Sequence, residues 1–273
     1  MVKEIPFVIE SDVTGGVAAV FEDIRQTMNV ATVNLIWRHL ATDEGVLDEA
    51  WSAVKPLYID GAADAAVQRL GNTLEVGEPT RWSTAALADA KVPVDSLPVI
   101  SAVFETYNRG NAYNLVTLLA LVTPPNAATR EPRRLADRFP PPTVPIPGVP
   151  ELGALSPTVA NQIVRLNRFG LRDENSSIVA TLYKHLAHWP GMLDLLHADL
   201  APMSEQGTLE RLIDHTLQVG SECGAIAATA LGPTPQGPAW DAATVAIHAF
   251  VNNAISRMLP IGLLATHKLT RVR

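Results

Sequence analysis

The chain has 273 residues, 47% hydrophobic and 18% charged, a balance that supports a buried core and excludes a disordered chain. Its net charge of −7, with no run of Lys and Arg, excludes a protein that tracks nucleic-acid phosphates. Cys223 is the only cysteine, which excludes an internal disulfide framework, a CxxC pair and a thiolate zinc site within one chain. A reducing cytoplasm fits this usage. The opening MVKEIPFVIES has no apolar signal core, and Leu115–Val122 is too short an apolar run to span a bilayer, so the chain reads as soluble and unprocessed.

In chain order, Leu47, Ala50, Trp51, Val54, Leu57 and Tyr58 recur at spacings of three and four and predict a helix with one apolar stripe. Gly61, Gly71 and Gly77 fall where the stripes break, with Asp60 as a nearby cap. Val99, Ile100, Val103, Phe104, Tyr107, Asn111, Leu115, Leu118 and Val122 then predict a long helix. From Thr123 to Pro157 come ten of the 21 prolines, a density no helix survives and one that suits an extended crossing. Beyond it Leu193, Leu196, His197, Leu200 and Met203 form another stripe, and Ser204, Gly207 and Gly220 mark its surroundings as cap and breaks. Val245–His267 predicts a closing helix. Strand alternation is nearly absent, and Ser177-Ile178-Val179 reads as part of a helical frame, so the fold class is all-α.

Residues 38–56, RHLATDEGVLDEAWSAVKP, recur as KHLAHWPGMLDLLHADLAP at 184–202, an offset of 146. His39/His185, Leu40/Leu186, Ala41/Ala187, Gly45/Gly191, Leu47/Leu193, Asp48/Asp194 and Pro56/Pro202 are identical. Arg38/Lys184 keep charge and Trp37/Tyr183 keep aromatic character. The long helix repeats too, Asn108 matching Asn253 and Leu118-Leu119-Ala120 matching Leu263-Leu264-Ala265 at an offset of 145. We therefore expect two pseudo-symmetric helical repeats, residues 1–123 and 158–273, joined by a Pro-rich linker at 124–157, with the site between them.

Asn111 is the most informative polar residue because it lies on an apolar stripe, where a buried amide needs partners. It suits either a backbone-satisfied position beside Gly110 or a donor in a pocket, and Asn108, Asn114 and Asn253 lie on related faces. His185 and His188, three apart, raise the question of a metal, as do Asp194 and His197. Such spacing is common by chance, His39 at the mate of His185 suits packing, and no HExxH, phosphate loop or GxSxG elbow occurs, so we assign no metal and no cofactor. Glu105, Asp43, Asp194, Asp173 and Glu174 are the carboxylates that suit a general base. Asp173 and Glu174 equally suit a helix N-terminus, and Glu105 a solvated flank. Cys223 reads as a small buried hydrophobe.

The segment FEDIRQTMNV (Phe21–Val30), the block Leu40–Trp51, the turn Asn108-Arg109-Gly110-Asn111 and the block Leu186–Pro190 together resemble the group I 2-haloacid dehalogenases, which act on both stereoisomers. The resemblance covers most of the chain, linker included. It implies an all-α fold of two repeats, a homodimer and a site for a small carboxylic acid between the repeats. It also implies that a carboxylate activates a water, which displaces halide from the carbon beside the substrate carboxylate with inversion and no ester intermediate. The family's pocket asparagine falls on Asn111. Its catalytic aspartate falls on Leu182, the serine before it on Thr181, and its pocket tryptophan and phenylalanine on Thr32 and Leu35. Leucine cannot take a proton, so the family's reaction lacks its base here, and Asp173 or Glu174, on the lengthened segment before Thr181, are the substitutes in sequence. The expected pocket comprises Asn111, Thr181, Leu182, Thr32, Leu35 and Tyr183. The alternatives are a non-catalytic small-molecule binder and an enzyme of different chemistry using His39, His185 or His188.

Overall fold

The computed structural model describes residues 4–43, 45–77, 79–125, 143–232 and 235–269, and the regular elements among these are all helical. The first half contains α1 (Gly15–Met28), α2 (Leu35–Leu40), α3 (Val46–Ile59), α4 (Ala62–Thr73), α5 (Thr84–Asp89) and α6 (Leu97–Val122). The second contains α7 (Pro157–Leu166), α8 (Thr181–Leu186), α9 (Pro190–Glu205), α10 (Thr208–Ala227), α11 (Pro238–Phe250) and α12 (Ser256–Leu269). A π-helical turn, Val251–Ile255, joins α11 to α12 without a break.

The predicted stripes become buried faces. Leu47, Ala50, Trp51, Val54, Leu57 and Tyr58 all turn inward from α3, and an edge-on Trp37–Trp51 pair with ring centres 5.4 Å apart continues through Tyr58 to Tyr113. α6 is buried on nearly every side, as a helix apolar all round must be. Its Ile100, Val103, Phe104 and Tyr107 belong to a cluster with α8 and α9, and its Leu115, Val116 and Leu118 to a second cluster with α3, α4 and α11. One helix thus runs through both cores, and α10 and α12 pack along it.

Elements recur at the sequence offset. α2 begins at Leu35 and ends at Leu40, and α8 begins at Thr181 and ends at Leu186, 146 residues on at both ends. α3 and α9 each carry a proline inside the helix, Pro56 and Pro202.

Three local expectations need correction. Gly71 and Gly220 lie inside α4 and α10 rather than at breaks, whereas Gly61, Gly77 and Gly207 do adopt the left-handed conformation that suits glycine. Gly220 serves packing: a Cβ there would come within 2.7 Å of the Leu115 side chain. Ser177-Ile178-Val179 is a non-helical lead into α8. The Asp173-Glu174 pair lies in the loop before it and starts no helix.

The Pro-rich segment falls partly outside the described residues, at 126–142. From Thr143 to Pro150 the chain runs without a helix, and the Gly148 carbonyl meets His188 Nε2 at 2.8 Å. No described helix is long and apolar enough to cross a membrane.

Candidate functional site

The first turns of α2 and α8, the two copies of the same segment, meet across a small cavity. Leu35 and Ile36 line it from α2, and their mates Thr181 and Leu182 from α8. Tyr107 and Asn111, one turn apart on α6, form a further wall, and Phe250, Ala254, Ile255 and Met258 close it from α11, the π turn and α12. The π turn belongs to this wall, a location where such irregularities are often found at functional sites. Asn34, Ile178 and Ala180 complete the lining. Its volume of about 40 Å³ admits roughly three waters, or on the order of 100 Å³ of liquid.

Each helix start is fixed by a different device. Before α2, the Glu10 carboxylate accepts from Thr32 Oγ1 at 2.7 Å and from the Val33 N–H at 3.0 Å, and is itself paired with Arg25. Before α8, the buried Asn167 side chain donates to the Ile178 carbonyl at 3.0 Å and accepts from the Ala180 N–H at 3.0 Å. Arg257, fully buried on α12, donates to the Asn167 carbonyl and, at 3.0 Å, to Asn167 Oδ1. These bonds set where Thr181 and Leu182 point. At the seam, the Phe7 ring is faced by the Arg38 guanidinium at 4.6 Å and by the mate ammonium of Lys184 at 4.7 Å, and Lys184 pairs with Glu4 at 2.9 Å. The N-terminal segment therefore ties α2 to α8.

Four of the residues expected in the pocket come together: Asn111, Thr181, Leu182 and Leu35. Two do not line it. Thr32 is turned to Glu10, and Tyr183 faces the second-half core, where burial pushes its phenol up to about 12. Leu182 is 1% exposed and sits in the wall as an ordinary core residue. Asp173 and Glu174 are exposed; Asp173 accepts from the Asn175 N–H at 2.9 Å in a tight turn of its own loop. Neither carboxylate lines the cavity, nor does any other among the described residues.

Two polar contributors escaped the sequence reading. Asn34, the residue before α2, lies against Gly110, where a Cβ would come within 2.3 Å of its Oδ1. The Asn108-Arg109-Gly110-Asn111 turn thus needs glycine for close approach. Tyr107 is the other, and its hydroxyl is 3.2 Å from Nδ1 of the fully buried His185. The two rings meet edge-on at 5.7 Å. Burial, and secondarily the His188 ring, push His185 down to about 4, with the Pro147 carbonyl opposing, so the ring is neutral at pH 7. Burial likewise raises the Tyr107 phenol far above its ordinary value. Tyr107's place on the predicted stripe was the available signal; its partner, 78 residues away, gave none.

Of the other histidines considered for chemistry, His39 bonds the Pro6 carbonyl through Nδ1 at 2.7 Å and His188 is exposed. Among the described residues no three His, Cys, Asp or Glu side chains converge as metal ligands would. Cys223 is fully buried, which pushes its thiol up to about 11. Glu105 lines a different and larger cavity, about 580 Å³, between α4, α6 and α12, on another face of α6 from Tyr107 and Asn111.

No family model matches the sequence, and no curated protein matches it. Solved structures do. One, described as a crystal structure of a D-2-haloacid dehalogenase mutant, superposes with a TM-score of 0.70 at 17% identity over 97% of this chain and 96% of that one. A mutant in complex with D-2-CPA gives 0.65 at 17% identity over 96% of each chain. A D-2-haloacid dehalogenase with L-LA gives 0.63 at 17% identity, covering 98% and 95%. From one end of the chain to the other, this protein has the all-α fold of the D-2-haloacid dehalogenase structures.

Proposed function

We propose that the protein binds a two- or three-carbon carboxylic acid in the cavity between α2 and α8 and does not displace halide from it by carboxylate-activated water. The observation that carries this reading is the wall at Leu182. An aliphatic side chain stands where the resemblance requires a base, and no described carboxylate lines the cavity. A general base must come within hydrogen-bond reach of its water, and Asp173 and Glu174 are both exposed, Asp173 being turned to its own loop. The capacity to bind rests on other groups. Thr181 Oγ1 is buried without a hydrogen-bond partner, a vacancy that a ligand oxygen relieves, and Asn34 and Asn111 line the same space. The cavity's size, roughly three waters, suits an acid of five or six non-hydrogen atoms.

The test is to follow chloride release from both enantiomers of 2-chloropropionate at high protein concentration, alongside the melting temperature with propionate. No release above the protein-free control, together with a saturable rise in melting temperature, is the expected result. Sustained halide release by the unaltered chain would overturn the reading. Leu182→Asp sharpens it. A lone carboxylate at that buried position is expected to cost about 3–5 kcal/mol in urea melts, and in protein that remains folded it supplies the absent base and allows halide release.

A further inference from the structure

Gly71 stands apart from the other glycines inside helices. At Gly110, Gly220, Gly224 and Gly262 an added Cβ would meet a neighbour within 2.7 Å, so each of those glycines lets another part of the chain approach. Gly71, in the last turn of α4, has no positive φ and nothing within 4 Å of where its Cβ would stand. A glycine in a helix is less stable than an alanine, and at Gly71 neither a turn nor close packing accounts for it. What the missing side chain does is leave room. Val67, Gly71 and Leu74, spaced by four and three, lie on one face at the end of α4 and line the cavity of about 580 Å³ that α6 and α12 close. The middle position of that stripe is empty.

The cavity has the size and make-up of a ligand pocket. Such pockets run from roughly 300 to 1,000 Å³ and are lined mostly by apolar side chains with a few polar groups. Here Val67, Leu70, Leu74 and Leu259 are buried lining residues, and Ala112 and Leu263 are half-buried. It is separate from the cavity between α2 and α8: on α6 Asn111 lines the small cavity and Ala112 the large one, and on α12 Met258 and Leu259 divide in the same way. Glu105 and Arg109, four residues apart on α6, bring opposite charges to its walls. Both are already engaged, Glu105 accepting from Ser101 Oγ at 3.2 Å and Arg109 Nη1 donating to the Asn29 carbonyl at 2.6 Å. A ligand with a net charge would meet its like there as well as its opposite, and would give up hydration against apolar walls. We infer that this cavity is a second binding site, for an uncharged and largely apolar molecule about the size of two or three fused rings, seated in the space that Gly71 leaves. The exposed amides of Gln68 and Asn72, also in the lining, offer a polar group of that molecule a donor or an acceptor.

The probe is N-phenyl-1-naphthylamine, which is uncharged and fluoresces in apolar surroundings, titrated into the full chain alongside sedimentation of the same samples. A saturable signal with one site per chain is expected, because the cavity of about 40 Å³ between α2 and α8 is too small for the probe. Gly71→Phe puts a ring into the open space and is expected to weaken the probe by about tenfold or more. Gly71→Ala is expected to leave its affinity within about twofold and to raise the melting temperature. Where Gly71→Phe does not fold, Ala112→Phe obstructs the same cavity from α6 and is expected to weaken the probe likewise. An absence of saturable binding overturns the inference, and so does binding that survives both fillings. A dimer in the sedimentation profile that Gly71→Phe dissociates overturns it too, because the cavity is then an interface between two copies of the chain.

Discussion

α2 and α8 are two versions of one segment, and they differ in how their polar atoms are paired. In α2, Trp37 Nε1 donates to Asn114 Oδ1 at 3.0 Å, Arg38 Nε to the Val8 carbonyl at 2.9 Å, and His39 meets the Pro6 carbonyl. In α8, Thr181 Oγ1 and the Tyr183 hydroxyl are buried without partners, and His185 has a partner on Nδ1 alone. Natural proteins leave few buried polar groups unpaired, and each exception calls for a physical reason. Of these atoms only Thr181 Oγ1 belongs to a residue that lines the cavity, so the second copy is the one that brings an unpaired polar side chain to its wall.

The sharpest way to break the comparison is at a position where both copies keep glycine. Gly45 has a φ of +81° and open space around its missing Cβ, so its need is conformational. Gly191, its mate, has no such φ, but a Cβ there would come within 1.8 Å of the Ala90 carbonyl oxygen, where α9 meets the end of α5. Backbone does not yield as a flexible side chain does. Gly191→Ala is therefore expected to cost about 3 kcal/mol or more in urea melts, and Gly45→Ala about 1–2 kcal/mol. Equal losses would mean that the two glycines serve the same purpose.

His39 and His185 sharpen it further, being the same residue in two environments. Burial pushes His185 down to about 4 in the folded chain, against an ordinary value of 6.5, so the unfolded chain binds a proton first as pH falls. Its neutral form contributes fully above pH 6.5. Between pH 6.5 and 4 stability is lost, by at most about 3 kcal/mol, and none of this loss is regained below 4. Urea melts at pH 7 and 4.5 measure it, and His185→Gln is expected to flatten the dependence. A slope unchanged by that variant would place its origin elsewhere.

Much of the architecture was legible because a helix writes its buried face into the sequence every three or four residues. The stripes at 47–58 and 99–122 became α3 and α6 with nearly the expected limits. The doubled segment pointed to the meeting of Leu35 and Ile36 with Thr181 and Leu182. What stayed hidden depends on partners far apart in the chain. Nothing local to Asn167 signals that it holds the start of α8, or that Arg257 holds Asn167 in turn. Thr32 was expected in the pocket by position, but Glu10, 22 residues earlier, captures its hydroxyl. Gly71 and Gly220 read as breaks because a single glycine looks the same whether it ends a helix or sits inside one, at Gly220 against Leu115 and at Gly71 with nothing close by.

The smallest expected effect bears most directly on the contrast in pairing. Trp37 and Tyr183 occupy matching positions, both are fully buried, and each ends in one polar atom. Trp37 Nε1 has Asn114 as its acceptor, whereas the Tyr183 hydroxyl has no partner. Trp37→Phe removes a satisfied donor, empties part of its space and leaves Asn114 Oδ1 bare, which is expected to cost about 2–3 kcal/mol. Tyr183→Phe removes an atom whose burial was already unfavourable, and its change is expected to lie within about 0.5 kcal/mol of zero or on the stabilising side. Thermal and urea unfolding of the two variants decide it. A loss at Tyr183 as large as that at Trp37 would mean that its hydroxyl does have a partner, and the contrast in pairing between the two copies would lose one of its supports.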